Sequence, residues 1–449
     1  RKESSAASDV YKRQSLMSCF CKLFTSILNN RLIEWSSTNN IISDVQFGFQ
    51  PNLSAVDAIF SLHSLITKFT QSRKKLYCCF IDYKKAFDSI IRSNLWIKIK
   101  HYGIHGKLLS IIQSMYSDIK TCVKSSGSIS QFFENFVGLL QGEVLSPMLF
   151  ALYVNDLENV FLNEGNMPIE LNTLSLFNIM YADDMVICAE SASELQNMLN
   201  TLSNYCIDWG LEVNVEKTKI VVFRNAGRAS NEETWSFDGK LIQVVDQFTY
   251  LGILLNFNGK FFTTQKQLAS QGRKAMFALK SSISNVSLIH CSLLSLFDTY
   301  VCSILSYGCE VWGYHKGPDI EKIHLDFLRY VLGVRRNTNR VMLYFETGRL
   351  PLHIKRIIRM FKYWFKLLQT SNCVLKAAYD FLQSECENPN FRGCNWASNI
   401  KNQLFNLGLN YMWLDQYNNL DSRVCLRIIE ERLKSNFVQK TLCDMENEK

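Results

Sequence analysis

Two adjacent carboxylates, Asp183 and Asp184, interrupt the largely apolar stretch Phe177-Asn178-Ile179-Met180-Tyr181-Ala182-Asp183-Asp184-Met185-Val186-Ile187-Cys188. Apolar residues on both sides read as two strands joined by a tight turn, with Ala182 and Asp183 at the tip. Neighbouring aspartates repel each other, and neither has an obvious basic partner nearby in sequence. A solvated polar turn would account for them, since Asp is common in turns. A third carboxylate changes the balance, because Asp82 ends another apolar run, Leu76-Tyr77-Cys78-Cys79-Phe80-Ile81. Three carboxylates at the ends of buried strands make an oxygen-rich site of the kind a hard divalent cation needs.

The elements around these residues must position them. From Ser15 to Trp35 apolar residues recur at helical spacing (Leu16, Phe20, Leu23, Phe24, Ile27, Leu28, Leu32), which predicts an amphipathic helix. A polar loop follows, and Gln46-Phe47-Gly48-Phe49-Gln50-Pro51-Asn52 reads as extended or turning. Ser54 caps a helix running to about Ser72, with Asp57 at its N3 position. Beyond the Asp82 strand come helices to about His101 and over Lys107–Ser117, then a hairpin over Thr121–Phe136. Gly138 to Pro147 is a loop entering a helix that continues to about Leu162, with Ser146 as cap and Pro147 at its first position. A helix over Ser193–Trp209, a turn and strand over Leu211–Phe223 and a small sheet over Trp235–Leu255 complete a mixed α+β body to about residue 258. From Thr263 onward the pattern is helical and basic.

At 449 residues, with 47% hydrophobic and 20% charged residues, the chain is globular and long enough for two or three domains. Its 15 cysteines are scattered, with no Cys-x-x-Cys and no zinc-like Cys/His spacing, which suits free thiols in a reducing cytosolic or nuclear setting. No secretory signal is visible. The most apolar long segment, Val286–Gly308, carries His290, Asp298 and several serines, as a buried helix does and a membrane span does not. The net charge of +8 is uneven: Lys316 to Lys366 holds twelve Lys/Arg against four Asp/Glu, an excess equal to that of the whole chain. A polyanion or a solvated helical face would each explain that segment. Ser4 to Gln14 looks like the in-frame translation of a sequencing adapter, so residues 1–14 are expected to be an artefact and the protein proper to begin in mid-domain near Ser15.

Five blocks stand in a telling order: Phe80-Ile-Asp82-Tyr-Lys-Lys-Ala-Phe87-Asp88, Gln141-Gly142-Glu-Val-Leu-Ser146-Pro147, Tyr181-Ala-Asp183-Asp184, Asn214-Val-Glu-Lys217-Thr218 and Tyr250-Leu251-Gly252. Together they resemble the reverse transcriptase of animal non-LTR (LINE-like) retrotransposons, here as an N-terminally truncated fragment. The resemblance implies an α+β right-hand polymerase fold with an antiparallel palm sheet. It implies partial fingers over residues 15–75, palm with remaining fingers elements over 76–259, and a helical thumb-like basic region over 260–368. Residues 369–449 form a C-terminal helical region of unknown role. The implied activity is RNA-directed DNA synthesis, by target-primed reverse transcription in the intact parent protein, with RNA template, DNA primer or target and dNTPs as partners.

On this resemblance Asp82 and Asp183 bridge two Mg²⁺ ions (Mn²⁺ being an alternative), while Asp184 supports them and the Ile81 carbonyl is a further ligand. Lys217 donates a proton to the leaving pyrophosphate or screens its charge, although Lys219 competes for that role. Phe87 packs under the incoming sugar, where its ring excludes a 2′-hydroxyl. Gln141 and Gly142 lie against the nascent base pair, and Tyr250, Leu251 and Gly252 form the primer grip. The chain departs from the family pattern in the fingers: the usual Arg-Pro-Ile start is missing, and Gln50 and Leu140 stand where basic residues are common. Fewer cationic contacts to the triphosphate leave an alternative, a catalytically decayed nucleic-acid-binding remnant. A cytoplasmic and nuclear location without membrane attachment is expected, and the oligomeric state is left open.

Overall fold

The computed structural model describes residues 17–125, 128–227, 233–388, 393–418 and 420–447. The expected artefact at 1–14 lies outside them. A six-stranded sheet occupies the centre of the N-terminal half, in the order Trp235–Phe237, Lys240–Val244, Lys219–Phe223, Leu76–Ile81, Asp184–Ala189, Asn178–Tyr181. All pairings are antiparallel except that of Lys219–Phe223 with Lys240–Val244. Leu76–Ile81 is buried at every position, so its run of apolar residues without alternation is what a strand covered on both faces requires. A separate hairpin, Gln247–Tyr250 with Ile253–Asn256, lies on the sheet through the stacking of Phe248 on Phe80 at 4.4 Å.

Helix Ala55–Gln71 runs beneath the sheet and is buried along nearly all its length. Its Asp57 carboxylate accepts hydrogen bonds from both the N–H and the hydroxyl of Ser54, at 2.7 and 2.8 Å, closing the first turn. The same carboxylate accepts from the Tyr363 hydroxyl at 2.9 Å and from Lys366 Nζ at 2.6 Å. Those two residues belong to helix Leu352–Leu368, so the early helix and the C-terminal half share one core.

After Asn256 the described residues form helices and no further strand. The fold is thus α+β, a sheet body followed by a helical region. Among the described residues no helix is long and apolar enough to cross a membrane. The apolar segment after Val286 is a broken helix, Cys302 ending a π-helical turn between His290–Phe297 and Ser303–Leu305. All 15 cysteines are free thiols.

Two local expectations change. The first helix, Cys19–Thr38, forms, but only Leu28 and Leu32 of its apolar face are buried, while Phe20, Leu23, Phe24 and Ile27 are exposed. The helix expected to run from Ser146 to Leu162 breaks into Ser146–Val154 and Leu157–Asn163. At the break Asn155 bonds the Ile41 carbonyl and the Ser43 N–H, and Asp156 takes the ammonium of buried Lys98 at 2.7 Å. These distant partners outweigh continuation of the helix.

Candidate active site

The central strand pairs Phe80 with Val186 and Ile81 with Met185. Continuing that register by one residue sets Asp82 across from Asp184, and directly opposite residues project to the same face. Alternation assigns this face to Cys78, Phe80 and Asp82 on one strand and to Asp184, Val186 and Cys188 on the other. The Cys78 and Cys188 sulfurs lie 3.6 Å apart on it. Tyr250 covers it, its ring 5.4 Å from that of Phe80. Burial drives the Tyr250 phenol far above its ordinary pKa, and the charge of Asp184 pushes in the same direction, so these two side chains share one environment.

Asp183 sits in the two-residue turn between the paired Tyr181 and Asp184. Its neighbour Ala182 has φ +59°, the left-handed region that L-residues seldom occupy. Asp183 is half-buried and Asp184 exposed. The backbone of Asp82 is held from the other side. Its N–H donates to Thr218 Oγ1 at 3.2 Å, and its carbonyl accepts from the Asn214 N–H at 2.7 Å. Asn214 in turn accepts from the N–H groups of Lys217 and Thr218 at 3.1 and 2.9 Å. The whole Asn214–Thr218 block is therefore a turn folded against Asp82. Lys217 is exposed on that turn, whereas Lys219 lies in the next strand with its ammonium on the Glu216 carbonyl at 2.5 Å.

Five residues after Asp82, Phe87 is half-buried and stacked on Phe150 at 4.9 Å. The Phe87 carbonyl accepts from Leu139 N–H at 2.7 Å, which joins this segment to the loop bearing Gln141 and Gly142. A Cβ on Gly138 would stand 2.5 Å from the Asp88 carbonyl oxygen, so only glycine permits this approach. Arg92 fixes the loop from below, donating to the carbonyls of Tyr116, Asn135, Val137 and Gly138 at 2.7–3.2 Å. Beyond Gly142, which has φ +101°, buried Glu143 accepts from the hydroxyls of Tyr116 and Ser146. Burial raises the Glu143 carboxyl pKa against the pull of those two bonds. Leu251 and Gly252 turn the hairpin with φ +46° and +83°, and the Tyr307 hydroxyl donates to the Leu251 carbonyl at 2.8 Å.

In chemical type Asp82, Asp183 and Asp184 offer only hard oxygen donors, and in register they gather at one end of the sheet. Among the described residues no three His, Cys, Asp or Glu side chains stand in a finished metal-binding arrangement. The fit to a divalent cation therefore rests on the donor type and on the register of the strands.

Residues 1–255 match the family described as reverse transcriptase (RNA-dependent DNA polymerase). The chain belongs to that family. This reverse transcriptase-family chain is 27% identical, over 68% of its length, to the probable RNA-directed DNA polymerase from transposon BS of Drosophila melanogaster. It is 24% identical over 71% of its length to the RNA-directed DNA polymerase from mobile element jockey of Drosophila funebris. The probable RNA-directed DNA polymerase from transposon X-element of Drosophila melanogaster matches at 24% over 70%. In each case the match covers 34% of the relative, so the chain spans about a third of their length. Among solved structures, apo telomerase from Candida tropicalis aligns over 91% of this chain and 61% of its own, at 13% identity and a TM-score of 0.42. That likeness is too loose to bear on individual residues.

In the helical half of this family member, much of the positive charge is spent internally. Of the twelve basic residues between Lys316 and Lys366, Arg329, Arg349, Lys355, Arg359 and Lys366 pair with Asp326, Asp298, Asp298, Glu310 and Asp57. Arg356 is buried and donates to the Lys316 carbonyl at 2.7 Å. Arg335, Arg336 and Arg340 remain exposed around the turn after helix Pro318–Leu332. Sequence reasoning gave no role to Arg92, Thr218 or Tyr307. Thr218 ends the Asn214–Thr218 block, and only contacts across the fold reveal what it and Tyr307 hold.

Proposed function

We propose that the chain carries the polymerase centre of a retrotransposon reverse transcriptase, extending a DNA 3′-hydroxyl on an RNA template with dNTPs. The observation that carries this reading is the strand register, Ile81 opposite Met185, whose continuation by one residue faces Asp82 with Asp184 beside the turn bearing Asp183. Two hard divalent cations, Mg²⁺ or Mn²⁺, held by Asp82 and Asp183 with support from Asp184 and the Ile81 carbonyl, would supply the Lewis acidity for attack on the α-phosphate.

The chain's own residues do the rest. Asp82, one residue beyond its strand, and Asp183, in the turn between two paired strands, would present their oxygens from a fixed end of the sheet. Lys217, on the turn bonded to Asp82, brings positive charge towards the departing pyrophosphate. Phe87, stiffened by Phe150, fills the volume that a ribose 2′-hydroxyl would need. Gln141 and Gly142 meet the nascent base pair, and the Tyr250-Leu251-Gly252 turn, fastened by Tyr307, positions the primer terminus. In this reading residues 15–75 are fingers, 76–259 palm, 260–368 thumb and 369–449 a helical appendage, and target-primed synthesis is the mode of the parent protein.

The test is primer extension on an RNA template with Mg²⁺. Incorporation of dNTPs in strong preference to rNTPs is expected. Salt-dependent RNA binding with no extension would instead identify a decayed nucleic-acid-binding remnant.

A further inference from the structure

We infer that Gln46 is a positioning residue for the carboxylate turn, its side-chain amide holding Ala182 in the left-handed conformation that aims Asp183 and Asp184. The inference deepens the polymerase reading above and rests on it.

Gln46 is 136 positions from Ala182 in sequence, yet its amide brackets that residue's backbone. Its Oε1 accepts from the Ala182 N–H at 2.9 Å, and its Nε2 donates to the Ala182 carbonyl at 3.4 Å. Oε1 accepts a second bond at 2.9 Å from the Gly48 N–H, so two backbone donors fix which end of the amide faces the turn. The side chain is 1% exposed and has no competing solvent.

The backbone around Gln46 is set for the same task. Phe47 N–H donates to the Met180 carbonyl and Met180 N–H to the Val45 carbonyl, both at 2.8 Å. Val45–Phe47 thus runs beside the outer strand of the carboxylate hairpin. Gly48 completes the approach: a Cβ there would stand 2.2 Å from the Ala182 nitrogen. Ala182 carries a Cβ at φ +59°, in a turn position where glycine is the ordinary choice. An alanine held there by an external clamp gives one direction to the residues that follow. A glycine would reach the same conformation unaided.

The clamp therefore predicts an epistatic relation. Gln46→Met keeps length and apolar volume but removes both hydrogen-bonding functions. Single-turnover primer extension by Gln46→Met should be at least tenfold slower, with the KM for dNTP within about threefold of wild type. Mn²⁺ binding, read from water-proton relaxation without any turnover, should weaken about as much. In an Ala182→Gly background, which needs no clamp to populate positive φ, the same Gln46→Met change should cost less than threefold. A residue that merely glues the segment to the sheet would cost the same in both backgrounds. If Gln46→Met does not fold, Gly48→Ala, which keeps Gln46 and presses on the Ala182 nitrogen, should produce the same slow extension and weak Mn²⁺ binding. Equal losses in the two backgrounds, or Gly48→Ala at wild-type rate and Mn²⁺ affinity, overturn the inference. Asp183→Asn, run alongside, separates the two readings. If it abolishes extension while the Gln46 and Gly48 variants are unaffected, the clamp alone fails; if it extends normally, the polymerase reading fails.

Discussion

Removing one buried carboxylate should loosen the hold of the C-terminal helices on the sheet body. Asp57 is fully buried and serves four donors: Ser54 N–H, Ser54 Oγ, Tyr363 hydroxyl and Lys366 Nζ, at 2.6–2.9 Å. In Asp57→Ala the loss of the helix cap costs about 1 kcal/mol. Stranding the buried Tyr363 hydroxyl, now donating to a charged acceptor, adds about 2 kcal/mol. Lys366 is 34% exposed and regains water, so its share is at most about 1 kcal/mol. The expected total is about 3–4 kcal/mol, within the range for breaking a buried charged pair. Urea unfolding followed by tryptophan fluorescence is the assay, since the Trp396 ring lies 5.1 Å from Phe60 and 6.1 Å from Tyr363 at this junction. Lys366→Met should cost about 1 kcal/mol or less by the same method, because its side chain is 34% exposed and the buried Asp57 keeps its bonds from Ser54 and Tyr363. An Asp57→Ala loss below about 1 kcal/mol would refute the reasoning, as would a Lys366→Met loss equal to it.

Three further outcomes follow from particular contacts. Burial pushes His63 down to about 4, against a backbone bond to Gly259 that pulls the other way. The unfolded chain therefore binds the extra proton first, near its ordinary 6.5, and the stability of the neutral buried ring is complete above that value. It is lost as pH falls through the window from 6.5 to about 4, by about 3 kcal/mol in all at 1.36 kcal/mol per unit; His63→Phe should flatten that part of a stability–pH curve, and an unchanged slope would count against it. Phe87→Ala should lower the dNTP-to-rNTP incorporation ratio at least tenfold, and an unchanged ratio would reduce Phe87 to packing against Phe150. Arg92→Met strands four carbonyls and should cost about 3 kcal/mol in thermal or urea unfolding, whereas a loss under about 1 kcal/mol would mean the 135–138 segment is held by other contacts.

The sheet was legible where local pattern and burial coincide. The unbroken apolar run into Asp82 and the paired runs around Ala182-Asp183 each specify a strand end without help from elsewhere. The helix over Cys19–Thr38 shows the limit of periodicity: spacing says that Phe20 and Phe24 share a face, and nothing about whether another element covers it. Asn155 and Asp156 look ordinary within a helical pattern, and only their partners at Ile41, Ser43 and Lys98 explain the break. Counting charges between Lys316 and Lys366 likewise misses that Asp57, over 300 positions away, consumes one of them. Gln46 reads in sequence as part of an extended or turning segment, because nothing in its neighbours announces the turn it holds.

In the proposed function Asp82 and Asp183 act together on the reacting phosphate. That is tested most directly by single-turnover extension with Asp82→Asn and Asp183→Asn, measured beside the affinity of each variant for the same RNA–DNA hybrid. Rates at least 10²-fold below wild type, about 2.7 kcal/mol of transition-state stabilisation, are expected with hybrid affinity unchanged. Either variant extending primers within threefold of the wild-type rate would contradict it.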